Sequence, residues 1–371
     1  MKLTIARAVL LKALDHTTRI VERRNTIPIL GNIRMVADGE RLELSATDLD
    51  LTATAATEAQ VSEPGATTVP AATLHDIVRK LPEKCEVTIE TIDDGARVTV
   101  RAGRSRFLLG ALPAADWPSV VPDTDSGVAR FPVPAKLLGE VLSQVSFAIA
   151  DDEARYYLNG VHVHLKDDHI VFVATDGHRL ARRHIDKPEV LASLAPIIVP
   201  RKTVVEITRL LKDAGDREVS IDVSARTITA TIGNTVLTSK LIDGTFPDYL
   251  RVIPTGNDKA AIVDAKEFAA AIDRVATLST DRGRSIKLAW EAGKCLCSVV
   301  NADLGEASDE VTVEYDAEPL TIGFNSRYLG EVMATLGGDT ARISMANPAS
   351  PALFQTKEDA PLLIVLMPMR T

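Results

Sequence analysis

Thr175-Asp176-Gly177-His178-Arg179 sets an aspartate and a histidine beside a turn, the pairing from which an acid/base couple can be built. The corresponding stretch of the first third, Thr47-Asp48-Leu49-Asp50, holds no histidine. Asp176 is therefore expected to cap backbone amides after a strand, with Gly177 supplying a positive φ. His162 and His164 fall on one face of a strand, where two imidazoles could ligate zinc. No third ligand lies near them in the sequence, so a solvated strand face is the expected reading. Of three cysteines, Cys85 stands alone, while Cys295 and Cys297 share a strand face and are expected as buried small apolar residues. Gly337-Gly338-Asp339 lacks the lysine and spacing of a phosphate loop, and no Gly-x-Gly-x-x-Gly follows a strand. Neither metal nor cofactor is expected, and the chain reads as a binding scaffold rather than an enzyme.

The elements that carry these residues recur. Leu44-Ser45-Ala46-Thr47-Asp48, Val171-Phe172-Val173-Ala174-Thr175-Asp176 and Val299-Val300-Asn301-Ala302-Asp303 place their aspartates 128 and 127 residues apart. Before each marker lies an amphipathic helix pattern: Val9, Leu10, Ala13, Leu14 and Thr17; Leu137, Leu138, Val141, Leu142 and Val145; Phe268, Ala271, Ile272 and Val275. After each comes a shorter helix, at Leu74–Leu81, Val204–Leu211 and Tyr328–Leu336, each expected to follow a β-rich stretch and a turn. The remainder alternates with period two, as in Cys85–Glu90 and Arg97–Arg101. Linkers are expected at Pro122–Val128 and Pro254–Lys259, where Pro, Gly and Asp gather. The result is an α+β chain of three repeated domains, at residues 1–125, 126–256 and 257–371, each with two helices packed on antiparallel sheets.

With 371 residues, 46% hydrophobic and 25% charged, the chain can bury a core in two or three domains. Its apolar runs are too short for a membrane helix. A charged residue interrupts the first seven positions too soon for a signal-peptide core, so a cytoplasmic address is expected. The net charge of −9 argues against nucleic acid. Yet the segments 6–24, 71–84 and 200–213 are net positive and 134–147, 264–284 and 325–336 are neutral, so strands and loops hold the acidic surplus. A basic helical surface with few aromatic residues suits duplex phosphates contacted without regard to sequence. A merely solvated helical face fits the same count.

A series of strings carries a resemblance along the whole chain: Pro28-Ile29-Leu30-Gly31-Asn32, Gly103-Arg104-Ser105-Arg106-Phe107, Leu112-Pro113-Ala114-Ala115-Asp116, Arg155-Tyr156-Tyr157-Leu158-Asn159-Gly160, Ala174-Thr175-Asp176-Gly177-His178-Arg179-Leu180, Val199-Pro200-Arg201-Lys202, Phe246-Pro247-Asp248-Tyr249 and Met367-Pro368-Met369-Arg370. In this order they resemble the bacterial DNA sliding clamp family, the β subunit of DNA polymerase III. The resemblance implies a non-catalytic processivity factor: a head-to-tail homodimer closing a six-domain ring around double-stranded DNA, helices lining the hole. Replicative polymerase, clamp loader, repair and translesion proteins would dock on it through short linear peptides.

Position by position, the resemblance implies a duplex-facing set of Arg24, Arg79, Lys80, Tyr156, Tyr157, Arg201 and Lys202. Asp151-Asp152-Glu153 makes the loop before Arg155 acidic. It implies a peptide pocket of Leu158, Thr175, Gly177, His178, Arg179, Leu180, Pro247, Arg251, Val252, Met367, Pro368, Met369 and Arg370, with Asn325 and Tyr328 at its edge. Flexible Met beside Leu, Val and Pro suits an adaptable apolar cleft, and Arg and His suit polar anchors. For the ring joint it implies Arg104, Arg106, Phe107, Leu108 and Leu109 facing Leu278, Asp303, Glu306, Asp309 and Glu310 of a second copy.

Overall fold

The computed structural model describes residues 1–22, 26–118, 128–279 and 285–370. Within them the repeat appears as three copies, each made of two similar halves in which a strand feeds a helix and further strands follow. The first copy holds β1 (Lys2–Ala6), α1 (Arg7–Thr17), β2 (Asn32–Asp38), β3 (Arg41–Thr47), β4 (Leu51–Glu58), β5 (Gln60–Glu63), β6 (Gly65–Pro70), α2 (Ala71–Lys80), β7 (Glu86–Ile92), β8 (Arg97–Ala102) and β9 (Ser105–Gly110). The second holds β10 (Ala129–Pro134), α3 (Ala135–Ser146), β11 (Gly160–Lys166), β12 (His169–Thr175), β13 (Arg179–Asp186), β14 (Ile197–Pro200), α4 (Arg201–Leu211), β15 (Glu218–Val223), β16 (Thr227–Ile232) and β17 (Thr235–Lys240). The third holds β18 (Lys259–Asp264), α5 (Ala265–Ala276), β19 (Ser285–Glu291), β20 (Lys294–Asn301), β21 (Gly305–Glu314), β22 (Leu320–Asn325), α6 (Ser326–Leu336), β23 (Thr340–Met345), β24 (Ala352–Gln355) and β25 (Leu362–Leu366).

Periodicity explains the helices. α1 buries Leu10, Ala13, Leu14 and Thr17, and α5 buries Phe268, Ala271, Ile272 and Val275, one stripe of a 3.6-residue period in each. Val9, expected on that stripe, is exposed instead, because it lies about 100° round the helix from Leu10. The second helices start at Ala71, Arg201 and Ser326, up to three residues earlier than expected and without the expected turn. The cause is local. Pro70 and Pro200 end their strands with no N–H to offer and a φ already suited to helix entry. In the third copy side chains do the same work: Asp264 accepts from the amides of Lys266 and Glu267 at 3.0 and 2.8 Å, and Asn325 from those of Arg327 and Tyr328 at 3.1 and 3.2 Å.

The chain forms two compact units. One comprises 1–137, 188–192 and 205–241; the other comprises 138–187, 193–204 and 242–371. In the first, a five-stranded sheet runs β5-β1-β7-β8-β9 and an eight-stranded sheet runs β10-β15-β16-β17-β4-β3-β2-β6. In the second, one sheet runs β14-β11-β12-β13-β25-β24-β23-β18-β21-β20-β19-β22, with β18 meeting β21 only at Ile262 and Val263. Copies one and two therefore share a sheet through β17 and β4, and copies two and three share one through β13 and β25. The core of the third copy stacks Phe268 near Trp290 and Phe324 near Phe354, all four fully buried. Each such ring stabilises the fold by about 1.5–3 kcal/mol through apolar burial alone. Cys295 and Cys297 lie buried on β20, as expected; their mutual contact and burial push the Cys295 thiol up.

The marker itself is a recurrent turn. Asp48 Oδ1 accepts from the amides of Asp50 and Leu51 at 3.0 and 2.7 Å, and Asp176 Oδ1 from those of His178 and Arg179 at 2.9 and 3.0 Å. In the third copy the acceptor is Asn301, bonded to the amides of Asp303 and Leu304 at 3.0 and 3.1 Å. The residue equivalent to Asp48 and Asp176 is thus Asn301, two positions before the aspartate aligned by sequence. Either side chain can offer the carbonyl-type oxygen that such a turn requires. Leu49 and Gly177 follow their aspartates with φ of 80° and 89°.

Candidate functional site

Asp176 is occupied by backbone amides and by Arg179, so the acid/base couple does not assemble. Arg179 is 7% exposed. Its Nε donates to Asp176 Oδ2 at 3.0 Å, its Nη1 donates to Glu331, and its guanidinium lies 4.3 Å from the ring centre of Tyr328 and 5.0 Å from that of Phe147. Burial draws the Glu331 carboxyl upward, but hydrogen bonds from Arg179 and Arg327 outweigh it and hold the group below its usual range. Arg179, expected as a polar anchor, is therefore spent on the scaffold. Asp176→Ala strips two amides and a buried cation of their acceptor and is expected to cost about 3 kcal/mol, measured as a lowered denaturation midpoint. A loss below about 1 kcal/mol would mean that water replaces the carboxylate.

The residues expected in the pocket all lie in the second unit, with this cluster. The main chain of Met367 donates to His178 O and that of Met369 to Gly323 O, both at 2.8 Å, which lays the tail along the β12–β13 turn and β22. Leu158 and Leu180 are buried, whereas Val252, Met367 and Met369 are exposed. The His178 and Tyr328 rings lie 6.3 Å apart. Thr175 and Gly177 belong to the turn: Thr175 Oγ1 donates to Arg179 O at 2.7 Å and accepts from the Gly177 amide. Arg251 is exposed and paired with Asp248 at 2.9 Å, while Pro247 and Arg370 are exposed, Pro368 is half-buried, and Asn325 caps α6. Exposed methionine and valine side chains with exposed arginines next to them in the chain are the surface chemistry that takes an extended, partly apolar peptide.

His162 and His164 are not a solvated face. Each is half-buried beneath the loop 246–252, and no cluster of three ligating side chains occurs among the described residues. Sequence missed this cover because it comes from Phe246 and Tyr249, far along the chain.

The cations expected at the duplex divide between the units. In the first, Arg79 and Lys80 are exposed at the last turn of α2, with Arg79 paired to Asp76 at 2.9 Å. In the second, Tyr156 is 53% exposed and packs edge-on to Tyr157 at 5.8 Å. Arg201 Nη2 donates to Ile149 O and Ala150 O at 2.7 and 2.8 Å, so its guanidinium, expected at the duplex, is partly engaged by the chain just before the acidic loop. Lys202 is half-buried on α4, and Arg24 lies outside the described residues. Lys12 and Arg19, exposed on or beside α1, add positive charge that the sequence counts contained but the residue assignment omitted.

For the joint, β9 is the last strand of its sheet. Arg104, Arg106 and Leu108 are exposed there, whereas Phe107 and Leu109 lean on their own core. In the third copy Leu278 is half-buried, Asp303 and Glu306 are exposed, Asp309 pairs with Arg274 at 2.6 Å and Glu310 with Lys294 at 3.3 Å. Val300, 78% exposed, and Leu304 flank the Asn301 turn and were missed; they lie outside any periodic stripe.

Three repeated α+β copies, each with two helices packed on antiparallel strands, define a clamp-type scaffold. Residues 1–121, 132–248 and 250–370 match the sequence families described as the N-terminal, central and C-terminal domains of the DNA polymerase III beta subunit. The chain is 47% identical to the beta sliding clamp of Caulobacter vibrioides and 37% identical to that of Escherichia coli, covering 100% of both chains in each case. Among solved structures, the Caulobacter crescentus beta sliding clamp with bound PEG superposes with a TM-score of 0.94 at 46% identity. The Bartonella birtlesii sliding clamp bound to griselimycin does so with 0.95 at 42%, and both matches cover 100% of each chain. The chain belongs to the DNA polymerase III beta subunit family, the beta sliding clamps. It is a DNA polymerase processivity factor: a sliding clamp that encircles duplex DNA without sequence specificity and tethers clamp-binding proteins through a peptide pocket, with no catalytic role.

Proposed function

We propose that this chain pairs head to tail with a second copy in the cytoplasm, through domains at 1–125, 126–256 and 257–371, and carries the replicative polymerase, the clamp loader and repair and translesion proteins in turn. The observation that carries the reading is the groove in the second unit. Tail, turn and lip converge there from separate stretches of chain, and methionine and valine side chains remain uncovered at its rim. Leu158, Thr175, Gly177, His178, Leu180, Pro247, Arg251, Val252, Tyr328 and Met367 to Arg370 receive the peptide, and Arg179 and Asn325 hold the frame. Griselimycin, bound by the Bartonella birtlesii and Pseudomonas aeruginosa clamps, is the probe with which the groove is tested.

Arg24, Arg79, Lys80, Tyr156, Tyr157, Arg201 and Lys202 supply the inner wall, where contact is weak enough to slide. The joint sets β9 against β21. An edge strand and a strand paired on its other side to β18 only at Val313 and Glu314 both leave main-chain groups open to augmentation. Arg104 and Arg106 then oppose Asp303, Glu306 and Glu310, while Phe107, Leu108 and Leu109 meet Leu278, Val300 and Leu304. Arg104→Glu combined with Leu278→Ala is expected to raise the dimer dissociation constant about a hundredfold, the effect of about 2.7 kcal/mol, read by sedimentation. An unchanged dimer would misplace the joint.

A further inference from the structure

The lip of the groove, residues 246–252, carries Pro247, Arg251 and Val252, yet its own main chain holds it loosely: the amides of Arg251 and Ile253 reach Asp248 O and Leu250 O only at 3.4 Å. Side chains fix it instead. A small core of Val171, Val173, Leu180, Tyr249, Leu363 and Val365 lies beneath, with Phe246 and Ile253 packed on it. At the margin of this core β11 presents two imidazoles, on the same face as Val173 and Val171, their cross-strand partners. His162 lies flat against the Phe246 ring, centroids 4.6 Å apart and planes 6° from parallel. His164 Nε2 stands 3.0 Å from the Tyr249 hydroxyl. Carbonyl oxygens only accept, so the Nδ1 atoms facing Ile197 O at 3.1 Å and Leu165 O at 3.0 Å carry the protons. In the neutral form Nε2 of His164 is then left to accept from Tyr249. The two imidazoles are 5.0 Å apart.

We propose that His162 and His164 are positioning residues of the peptide groove: they brace its lip through Phe246 and Tyr249, and so set the affinity for partner peptides. The proposal rests on the pocket reading above. A stacked ring and a half-buried hydroxyl bond each oppose lip opening, and neither exists unless the lip is closed. Charge works against the brace. Burial, and then the neighbouring His164, lower the pKa of His162 to about 4 with the lip closed; released, the ring returns toward its ordinary value of about 6.5. Above that pH both states are neutral and the brace is unaffected. Each unit below it, down to about 4, favours the open lip by up to about tenfold. The other titratable or charged groups packed here are Arg182 and His184, placed on this face by the β12–β13 register, and Asp248, Tyr249 and Arg251 of the lip. None is a carboxylate on the sheet face that could stabilise an imidazolium at His162.

Griselimycin binding to the full chain, measured by calorimetry from pH 7.5 to 5, tests this. The double variant H162A/H164A is expected to bind about tenfold more weakly at pH 7.5, with its thermal midpoint and its retention on circular DNA preserved. His162→Phe keeps the stack without a titratable ring: it is expected to match the unmodified chain at pH 7.5 and to lose about threefold less affinity by pH 5. Double-variant affinity within about twofold of the original, or a His162→Phe profile as steep as the original, would overturn the brace. If the unmodified chain fails to bind griselimycin, or Met369→Asp binds as well as it does, the pocket reading itself falls and the brace with it.

Discussion

Once assembled on a closed circle of duplex DNA, the clamp is expected to remain through gel filtration in high salt and to leave within minutes when the circle is cut. The reason lies in how little contact energy encirclement requires. A protein held by six to ten phosphate contacts loses about 10³–10⁵ in affinity between about 50 and 200 mM salt, whatever the ends of its DNA are doing. The cations here are few, and Arg79 and Arg201 are partly engaged within the chain. Salt-resistant retention on circles together with loss from linear DNA separates a topological link from adhesion. Equal retention on both would sink the ring.

Deleting Met367 to Thr371 is expected to weaken griselimycin binding by at least about a hundredfold, equivalent to about 2.7 kcal/mol, while leaving the denaturation midpoint nearly unchanged. Both halves follow from the same geometry. The last buried strand, β25, ends at Leu366, and beyond it two main-chain hydrogen bonds, to His178 O and Gly323 O, tie the tail down. Little of the core depends on them. Met367 and Met369, however, are exposed, and on the proposed reading their flexible thioethers let one groove accept varied side chains. Undiminished affinity would remove the tail from the site; a collapsed midpoint would mean that the tail is structural.

Much of this was legible in residue order. The period of the marker, the helical stripes of α1 and α5 and the alternating strands are local patterns, set by the 3.6- and 2-residue geometry of the backbone, and they survive without knowledge of any partner. The resemblance strings then supplied the groove and the joint as expected residue sets. Proline placement was visible too, although its effect, a helix starting straight from a strand, was not drawn from it.

What the sequence by itself determined is therefore the threefold α+β plan, with strands and helices in the same order in each copy. Only the tertiary structure decided which of the expected site residues are free to act. Arg179 proved buried, Arg201 tied to two carbonyls, Asn301 rather than Asp303 the third turn acceptor, and His162 and His164 covered by a loop more than eighty positions away. The Asn301 turn is local, but the two arginines and the histidine pair share one physical reason. A strand's face is fixed by alternation along the chain, but what covers that face depends on cross-strand register and on loops closing over it, and those contacts are long in sequence. The copies are likewise joined by β17 with β4 and β13 with β25, pairings that no local pattern announces.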